Sequence, residues 1–150
     1  MSTKNVQFTV ATHVMAGLAH CAAVGGAGAT SAALASSVNA EPSFVRRAIS
    51  KLAKAGLVIT TRGKNGACAL ARPAADITLL DIYRASEAPA AFSIHDYPIE
   101  GACPISANIS ACMNEVLRCA QQGFEERLAR RTLADLMVRM CPLARETSPA

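Results

Sequence analysis

The stretch "PSFVRRAISKLAKAGL", residues 42–57, decides the fold, because as a helix it would have one apolar and one basic side. Pro42 suits the first turn of a helix, and Gly56 stands where such a helix should stop. At helical spacing one side is apolar, with Val45, Ala48, Ile49 and Leu52. The other side is polar and contains no carboxylate. Its residues Ser43, Arg46, Arg47, Ser50 and Lys54, together with Lys51, are candidate contacts to a nucleic acid. This composition favours a helix in the major groove of DNA over a solvated face, which would more often mix in acids.

A shorter helix precedes this one at the spacing of a helix-turn-helix unit. Thr30 is a candidate N-cap for "SAALASSV", residues 31–38, and we count it among the candidate DNA contacts. The segment "NAE" then makes the turn. Upstream, "NVQFTVATHVMAGLAHCAAV", residues 5–24, has apolar residues at three- and four-residue steps. The pattern predicts a first helix that ends in "GGAGA".

A β-hairpin is predicted directly after the basic helix. Residues 57–61 and 67–71 are short strand-like runs, and "RGKNG" between them supplies a turn with glycine. A hairpin in this position is a wing. Arg62 and Lys64 at its tip are candidate contacts to a minor groove or to flanking phosphates.

Charge and composition support the same interpretation. Residues 41–72 contain seven Lys and Arg against the single acid Glu41, a formal charge of +6, whereas the whole 150-residue chain carries +4. Such a local excess is expected where a protein contacts a polyanion. No phosphate-binding glycine motif or Ser/His/Asp spacing indicates an enzyme. We expect a cytoplasmic protein without membrane contact and with reduced thiols. The alternative to a DNA-binding protein is a pure protein-interaction module.

The residue pattern of the carboxyl-terminal part predicts a long helix with one apolar stripe. Thr78 and Asp81 form a capping-box pattern, residues 89–103 form a loop, and a helix follows from Pro104. Near-heptad spacing selects a candidate dimer interface at Ile105, Ile109, Cys112, Val116 and Cys119, continued by Gly123 and broadened by Leu117, Phe124 and Leu128. The expected partner is a second copy of the chain. We divide the chain into a DNA-binding domain (1–88), a sensor-type loop (89–103), a dimerisation helix with a C-terminal helix (104–140) and a tail (141–150).

The sequence resembles the Rrf-type winged-helix repressors, a family that includes IscR, NsrR and CymR. The resemblance is carried by "FTVATHVMAGLA", "SFVRRAISKLAKAGLV", "RGKNGACALARPAADITLLDIYRASE", "CPISANI" and "RTLADL". It implies a mainly α fold with a small β-hairpin, in which a winged helix-turn-helix domain is joined to a long dimerisation helix. It also implies a homodimeric repressor that binds a double-stranded DNA operator.

The resemblance also bears on an iron–sulfur cluster. Cluster-bearing relatives carry three cysteines in the loop before the dimerisation helix, and Cys103 resembles the last of them. The other two are missing, Ser106 stands where the cluster-assembly regulator has a histidine, and Val10 stands where nitric-oxide sensors have a carboxylate. We therefore expect no cofactor and no metal. The disfavoured alternative is a cluster on Cys103 with non-standard ligands from His95, Asp96, Glu100 or His13.

The cysteines have more than one interpretation. Cys112 and Cys119, seven residues apart, fall on one side of a helix and are expected to pack. Cys103 at a helix start and Cys68 in the wing are the candidates for redox sensing. A repressor that responds to a small molecule, with structural cysteines only, also remains open.

Overall fold

The computed structural model describes residues 5–61, 66–99 and 101–146, with side chains up to residue 140. Arg62, Lys64 and Glu100 therefore lie outside the described residues. The described part contains helices α1 to α6 and strands β1 to β3. The helices are α1 (Gln7–Ala23), α2 (Ser31–Val38), α3 (Pro42–Lys54), α4 (Leu79–Ala85), α5 (Pro104–Ala129) and α6 (Leu133–Glu146). The strands are β1 (Ala29–Thr30), β2 (Val58–Thr60) and β3 (Ala67–Leu70), and a short 3₁₀ turn spans Ala74–Asp76.

The predicted fold class is confirmed, and local signals set the ends of the helix-turn-helix unit. The Thr30 hydroxyl accepts a hydrogen bond from the Ala33 N–H at 3.1 Å and so caps α2. Asn39 ends α2 in the left-handed conformation (φ 57°), which asparagine tolerates better than most residues. Gly56 follows α3 at φ +77°. The chain thus turns sharply on both sides of the basic helix.

The wing has one strand more than the predicted hairpin. β3 is central, and β1 and β2 pair with it in antiparallel register, with Ala29 opposite Cys68 and Val58 opposite Leu70. The extra strand comes from the glycine-rich segment after α1, which was predicted only as a link between helices. At Gly28 (φ +130°) an added Cβ would collide with the carbonyl oxygen of Cys68, so glycine permits this close pairing.

One hydrophobic core lies between α1, α3, α4, the sheet and α6. Val14, Met15 and Leu18 of α1 meet Val45, Ile49 and Leu52 of α3 in this core, and all six are buried. Burial of such a side chain contributes roughly 1.5–3 kcal/mol relative to exposure. The apolar side predicted for α3 is confirmed, and its burial fixes which side of the helix faces outward.

The region after Pro104 forms two helices, α5 and α6. α5 ends at Ala129, and Thr132 and Asp135 then form a reciprocal cap: the Thr132 N–H donates to Asp135 at 2.9 Å, and the Asp135 N–H donates to the Thr132 hydroxyl at 3.1 Å. Leu133 begins α6, is fully buried, and donates its N–H to the Ile77 carbonyl at 2.8 Å. α6 therefore packs into the core of the winged domain.

The two sides of α5 have different surroundings. Leu117 and Phe124 were predicted, with Leu128, to broaden the apolar stripe of the candidate dimer interface, and for Leu117 and Phe124 this prediction is wrong. The Phe124 ring meets the Tyr83 ring edge to face at 5.3 Å, and Leu117 lines the same groove against the loop after α4. Leu128 shares this side by helical spacing. Positions 117, 121, 124 and 128 lie opposite Cys112, Val116 and Cys119, because three- and four-residue steps from 117 select the other side of the helix.

Candidate nucleic-acid interface

The outward side of α3 is basic and free of acids. Its exposed side chains are Ser43, Arg46, Arg47, Ser50 and Lys54, and the side opposite to them is in the core. Among the described residues, Arg46, Arg47 and Lys54 form no salt bridge. Their cationic groups are therefore available to a ligand outside the chain.

Two neighbours shape the approach to this helix. The Arg47 guanidinium lies 5.8 Å from the centre of the Phe44 ring, a cation–π distance, and Phe44 is half-buried. Arg46 lines an open concavity with Ser31, Ser36 and Asn39 of α2 and the following turn. The two arginines consequently point to different sides of the exposed face, one toward α2 and one toward Phe44.

Other predicted contacts have different surroundings. The Thr30 hydroxyl oxygen is engaged as the cap of α2. Lys51 lies at the edge of α3, where its Nζ is 3.1 Å from Glu87 Oε2. Arg72, one of the seven basic residues counted from the sequence, lies 3.5 Å from Asp81. Of that basic segment, Arg46, Arg47 and Lys54 thus form the part that the described structure leaves without an ion pair.

The base of the wing is described, and its tip is not. The Thr61 N–H and hydroxyl both donate to the Ala67 carbonyl, each at 3.0 Å, and so close the hairpin just before residues 62–65. On β2, Ile59 is exposed to 54%. The predicted contacts from Arg62 and Lys64 stay predictions.

Sequence reasoning missed a polar contact between the first two helices. His13, named above only as an alternative cluster ligand, has an exposed ring, and its Nε2 lies 3.0 Å from the Ser37 hydroxyl of α2. The two positions are 24 residues apart, and no local pattern in the sequence indicates that they meet.

The two redox candidates have opposite environments. Cys103 is exposed at the N-cap position of α5. Its sulfur faces three weak hydrogen-bond donors, the Ser106 N–H, the Ser106 hydroxyl and the Ile105 N–H. They lower the pKa of this thiol, although none has the geometry of a full capping hydrogen bond. Cys68 is 4% exposed in β3, and burial raises the pKa of its thiol. Relative to an ordinary cysteine, the thiolate form is therefore favoured at the exposed Cys103 and disfavoured at the buried Cys68.

The remaining predicted interface positions lie on a surface that one chain leaves open. Cys112 and Cys119 are exposed, so they are not part of the core of a single chain. Ile105 is 70% and Val116 58% exposed, and Ile109 is half-buried. No residue of α5 is buried in one chain.

The expectation that the chain binds no iron–sulfur cluster stays a prediction, and Glu100, one of the alternative ligands, lies outside the described residues. The groups next to the Cys103 sulfur, two N–H groups and a hydroxyl, supply no further thiolate. Within the described ranges, no three His, Cys, Asp or Glu side chains are placed to share a metal ion. None of the described helices is long and apolar enough to span a bilayer.

Comparison with known proteins identifies similar chains. A family model for Rrf2, described as an iron-dependent transcriptional regulator, matches residues 5–139. YwnA of Bacillus subtilis (strain 168), named as an HTH-type transcriptional regulator, is 37% identical over 105 residues, which cover 69% of this chain and 77% of YwnA.

Solved structures show the same architecture. A transcriptional regulator from Lactobacillus plantarum superposes with a TM-score of 0.74 at 29% identity, covering 91% of this chain and 90% of that one. CymR (YrzC), the global cysteine regulator of B. subtilis, superposes with a TM-score of 0.64 at 24% identity, covering 93% and 98%. At that identity, the likeness to CymR shows the fold alone.

Proposed function

The chain belongs to the Rrf2 family of transcriptional regulators, and we propose that it is a homodimeric repressor that reads a pseudo-palindromic duplex with α3. It is a regulator and not an enzyme. The observation that carries the proposal is the acid-free outer side of α3, whose arginines and lysine are exposed while the opposite side is fixed in the core.

The dimensions and chemistry of α3 suit the major groove. Its 13 residues make a rod about 20 Å long at 1.5 Å per residue. Arginine forks fit the two acceptors on a guanine edge, and serine and lysine hold phosphates. Arg46 and Arg47 are the proposed base readers, and Ser43, Ser50 and Lys54 are the proposed phosphate contacts.

The dimer is proposed to form through the outer side of α5. Ile105 and Val116 are exposed large apolar side chains on a helix that has no buried residue. Gly123 lies on the same side, and an added Cβ there would meet no atom of the chain within 4 Å. Glycine weakens a helix, and the absence of a side chain at Gly123 would let another molecule approach α5 closely, which supports the proposal. A two-fold axis across α5 supplies that molecule as a second copy.

The proposed signal acts on a thiol and requires no resident cluster. Cys103 combines exposure with a lowered pKa, the two conditions for reaction with an electrophile or oxidant. It lies between the loop after α4 and the first turn of α5. Its modification would change the charge and size of a group next to the proposed interface.

The test is DNA binding by the purified full-length protein. A duplex is first selected from a random library, and fluorescence anisotropy then compares it with a scrambled duplex. We expect Arg46→Ala or Arg47→Ala to cost about 1–3 kcal/mol on the selected duplex and much less on the scrambled one.

Arg139→Ala is the matched control, because Arg139 is an exposed arginine on α6, outside the helix-turn-helix unit. It should leave binding unchanged. Equal affinity of the wild type and the Arg46→Ala/Arg47→Ala variant for the selected duplex would refute base reading by α3.

A further inference from the structure

One cation of the DNA-reading helix is already held by an anion of the same chain. Lys51 Nζ lies 3.1 Å from Glu87 Oε2, and the two side chains are 35% and 61% exposed. Glu87 follows α4 and is 36 positions from Lys51 in the sequence. Arg46, Arg47 and Lys54 on the same helix have no such partner among the described residues.

The backbone at Glu87 is held in an unusual conformation. Its φ is 53°, in the left-handed region that favours glycine or asparagine at the end of a helix. The preceding Ser86 is 2% exposed. Its hydroxyl donates to the Tyr83 carbonyl at 2.7 Å and accepts from the Ala88 N–H at 3.3 Å. The turn is therefore fixed on both sides of Glu87, and a strained backbone persists where its surroundings determine it.

An open space lies beside this ion pair, and two basic residues are among those that line it. An open cavity of about 270 Å³ is lined by Gln7, Phe44, Arg47, Ala48, Lys51 and Ser86. An anion there would meet the cations of Arg47 and Lys51. The cavity borders α3, the helix proposed to enter the groove, so the nearest external oxyanion in a complex is a backbone phosphate.

We propose that Glu87 is a built-in competitor of the DNA backbone. In the free protein its carboxylate forms an ion pair with the Lys51 ammonium group. In the complex a backbone phosphate replaces the carboxylate as the partner of that ammonium group. This inference rests on the proposed function. Since a phosphate is present whichever base pair lies beside it, Glu87 lowers affinity for every duplex by the same factor and so limits nonspecific binding.

The experiment compares four full-length proteins by anisotropy on the selected and the scrambled duplex over a series of salt concentrations: wild type, Glu87→Gln, Lys51→Met and the double variant. We expect Glu87→Gln to raise affinity for both duplexes by the same factor, roughly two- to fivefold, the range for release of one exposed ion pair. Lys51→Met should weaken binding to both duplexes and reduce the salt slope by about 0.9, because one phosphate contact is lost.

The double variant decides whether the effect runs through Lys51. With methionine at 51, the Glu87→Gln change should give no gain. Glu41→Gln is the matched control for charge alone, because Glu41 is an exposed acid directly before α3 and forms no salt bridge among the described residues. Its gain should be clearly smaller than that of Glu87→Gln.

Wild-type affinity for Glu87→Gln, a gain that persists with Lys51→Met, or an equal gain for Glu41→Gln would each overturn the inference. In these outcomes the wild type still binds DNA, and the proposed function stands. A wild type without salt-dependent duplex binding would instead refute the proposed function and this inference with it. Circular dichroism confirms that all variants are folded.

Discussion

Helices α3 and α5 each have one side turned to the winged domain and one turned away, but their outward sides differ in chemistry. The outward side of α3 carries hydroxyl and cationic groups, which water or a polyanion can satisfy. The outward side of α5 carries Ile105, Cys112 and Val116, which water does not satisfy. The difference teaches that exposed side chains in one chain can suit two kinds of partner. The polar, cationic side of α3 suits a charged ligand, whereas the apolar side of α5 suits another protein surface.

The largest expected effect breaks the α5 side of this comparison. In the proposed dimer, Val116→Glu would place a charge against its symmetry mate in the buried interface and should destabilise the dimer by about 3–5 kcal/mol. Sedimentation velocity should then show monomer or aggregate, and binding to the selected duplex should fall with it. The control is Val138→Glu on α6, because Val138 is 71% exposed and lies away from the stripe. An intact dimer of Val116→Glu would place the interface elsewhere.

A smaller effect, on the free energy of unfolding, is expected where α5 packs against the winged domain of its own chain. The buried Tyr83 donates its hydroxyl hydrogen to the Pro89 carbonyl at 2.9 Å and accepts from the Gln121 side chain at 3.0 Å. Its ring also meets Phe8 and Phe124. Tyr83→Phe keeps the ring contacts but leaves these polar groups without their partner, and should lower the free energy of unfolding by about 1–2 kcal/mol.

Urea denaturation measures that change. Tyr97→Phe is the control, because Tyr97 is 77% exposed and its hydroxyl should contribute little. Equal unfolding free energies for Tyr83→Phe and the wild type would show that the hydroxyl does not fasten α5.

The smallest effect is one of rate and leaves the fold intact. Because the pKa of Cys103 is lowered, its thiolate persists at lower pH, so its alkylation should reach full rate at lower pH than that of an unstructured cysteine peptide. At neutral pH it should label first. Cys68, buried and with a raised pKa, should label only on unfolding.

Timed alkylation with mass spectrometry checks this order and sharpens the comparison. Cys112 and Cys119 are exposed in one chain, so their protection in the wild type and rapid labelling in Val116→Glu would report the dimer directly. Labelling of Cys68 as fast as Cys103 would contradict the contrast between the two thiols.

The features that the sequence predicted depend on neighbours along the chain. The capping box at Thr78 and Asp81 and the stop after α3 at Gly56 are local, and both were found. The two sides of α3 also follow from local spacing, because apolar residues at three- and four-residue steps mark its buried side.

The features that it missed depend on distant partners. The two residues of β1 pair only because β3 lies beside them, and so short a strand has no pattern of its own. Leu117 and Phe124 are apolar like the outer stripe. Only the contact of Phe124 with Tyr83 and the groove that Leu117 lines with the loop after α4 show that they face inward. Likewise, Lys51 belongs to the basic stripe by composition, and its partner Glu87 comes from the end of α4.

The return of the chain from α5 to α6 has a consequence for synthesis on the ribosome. Leu133 is fully buried beside Ile77, and the Leu79 N–H donates to the Arg131 carbonyl at 2.8 Å, so the winged domain is closed by residues that follow the long helix. A nascent chain that ends before residue 131 lacks this closure. The winged domain therefore completes its core only after the whole of α5 has been synthesised.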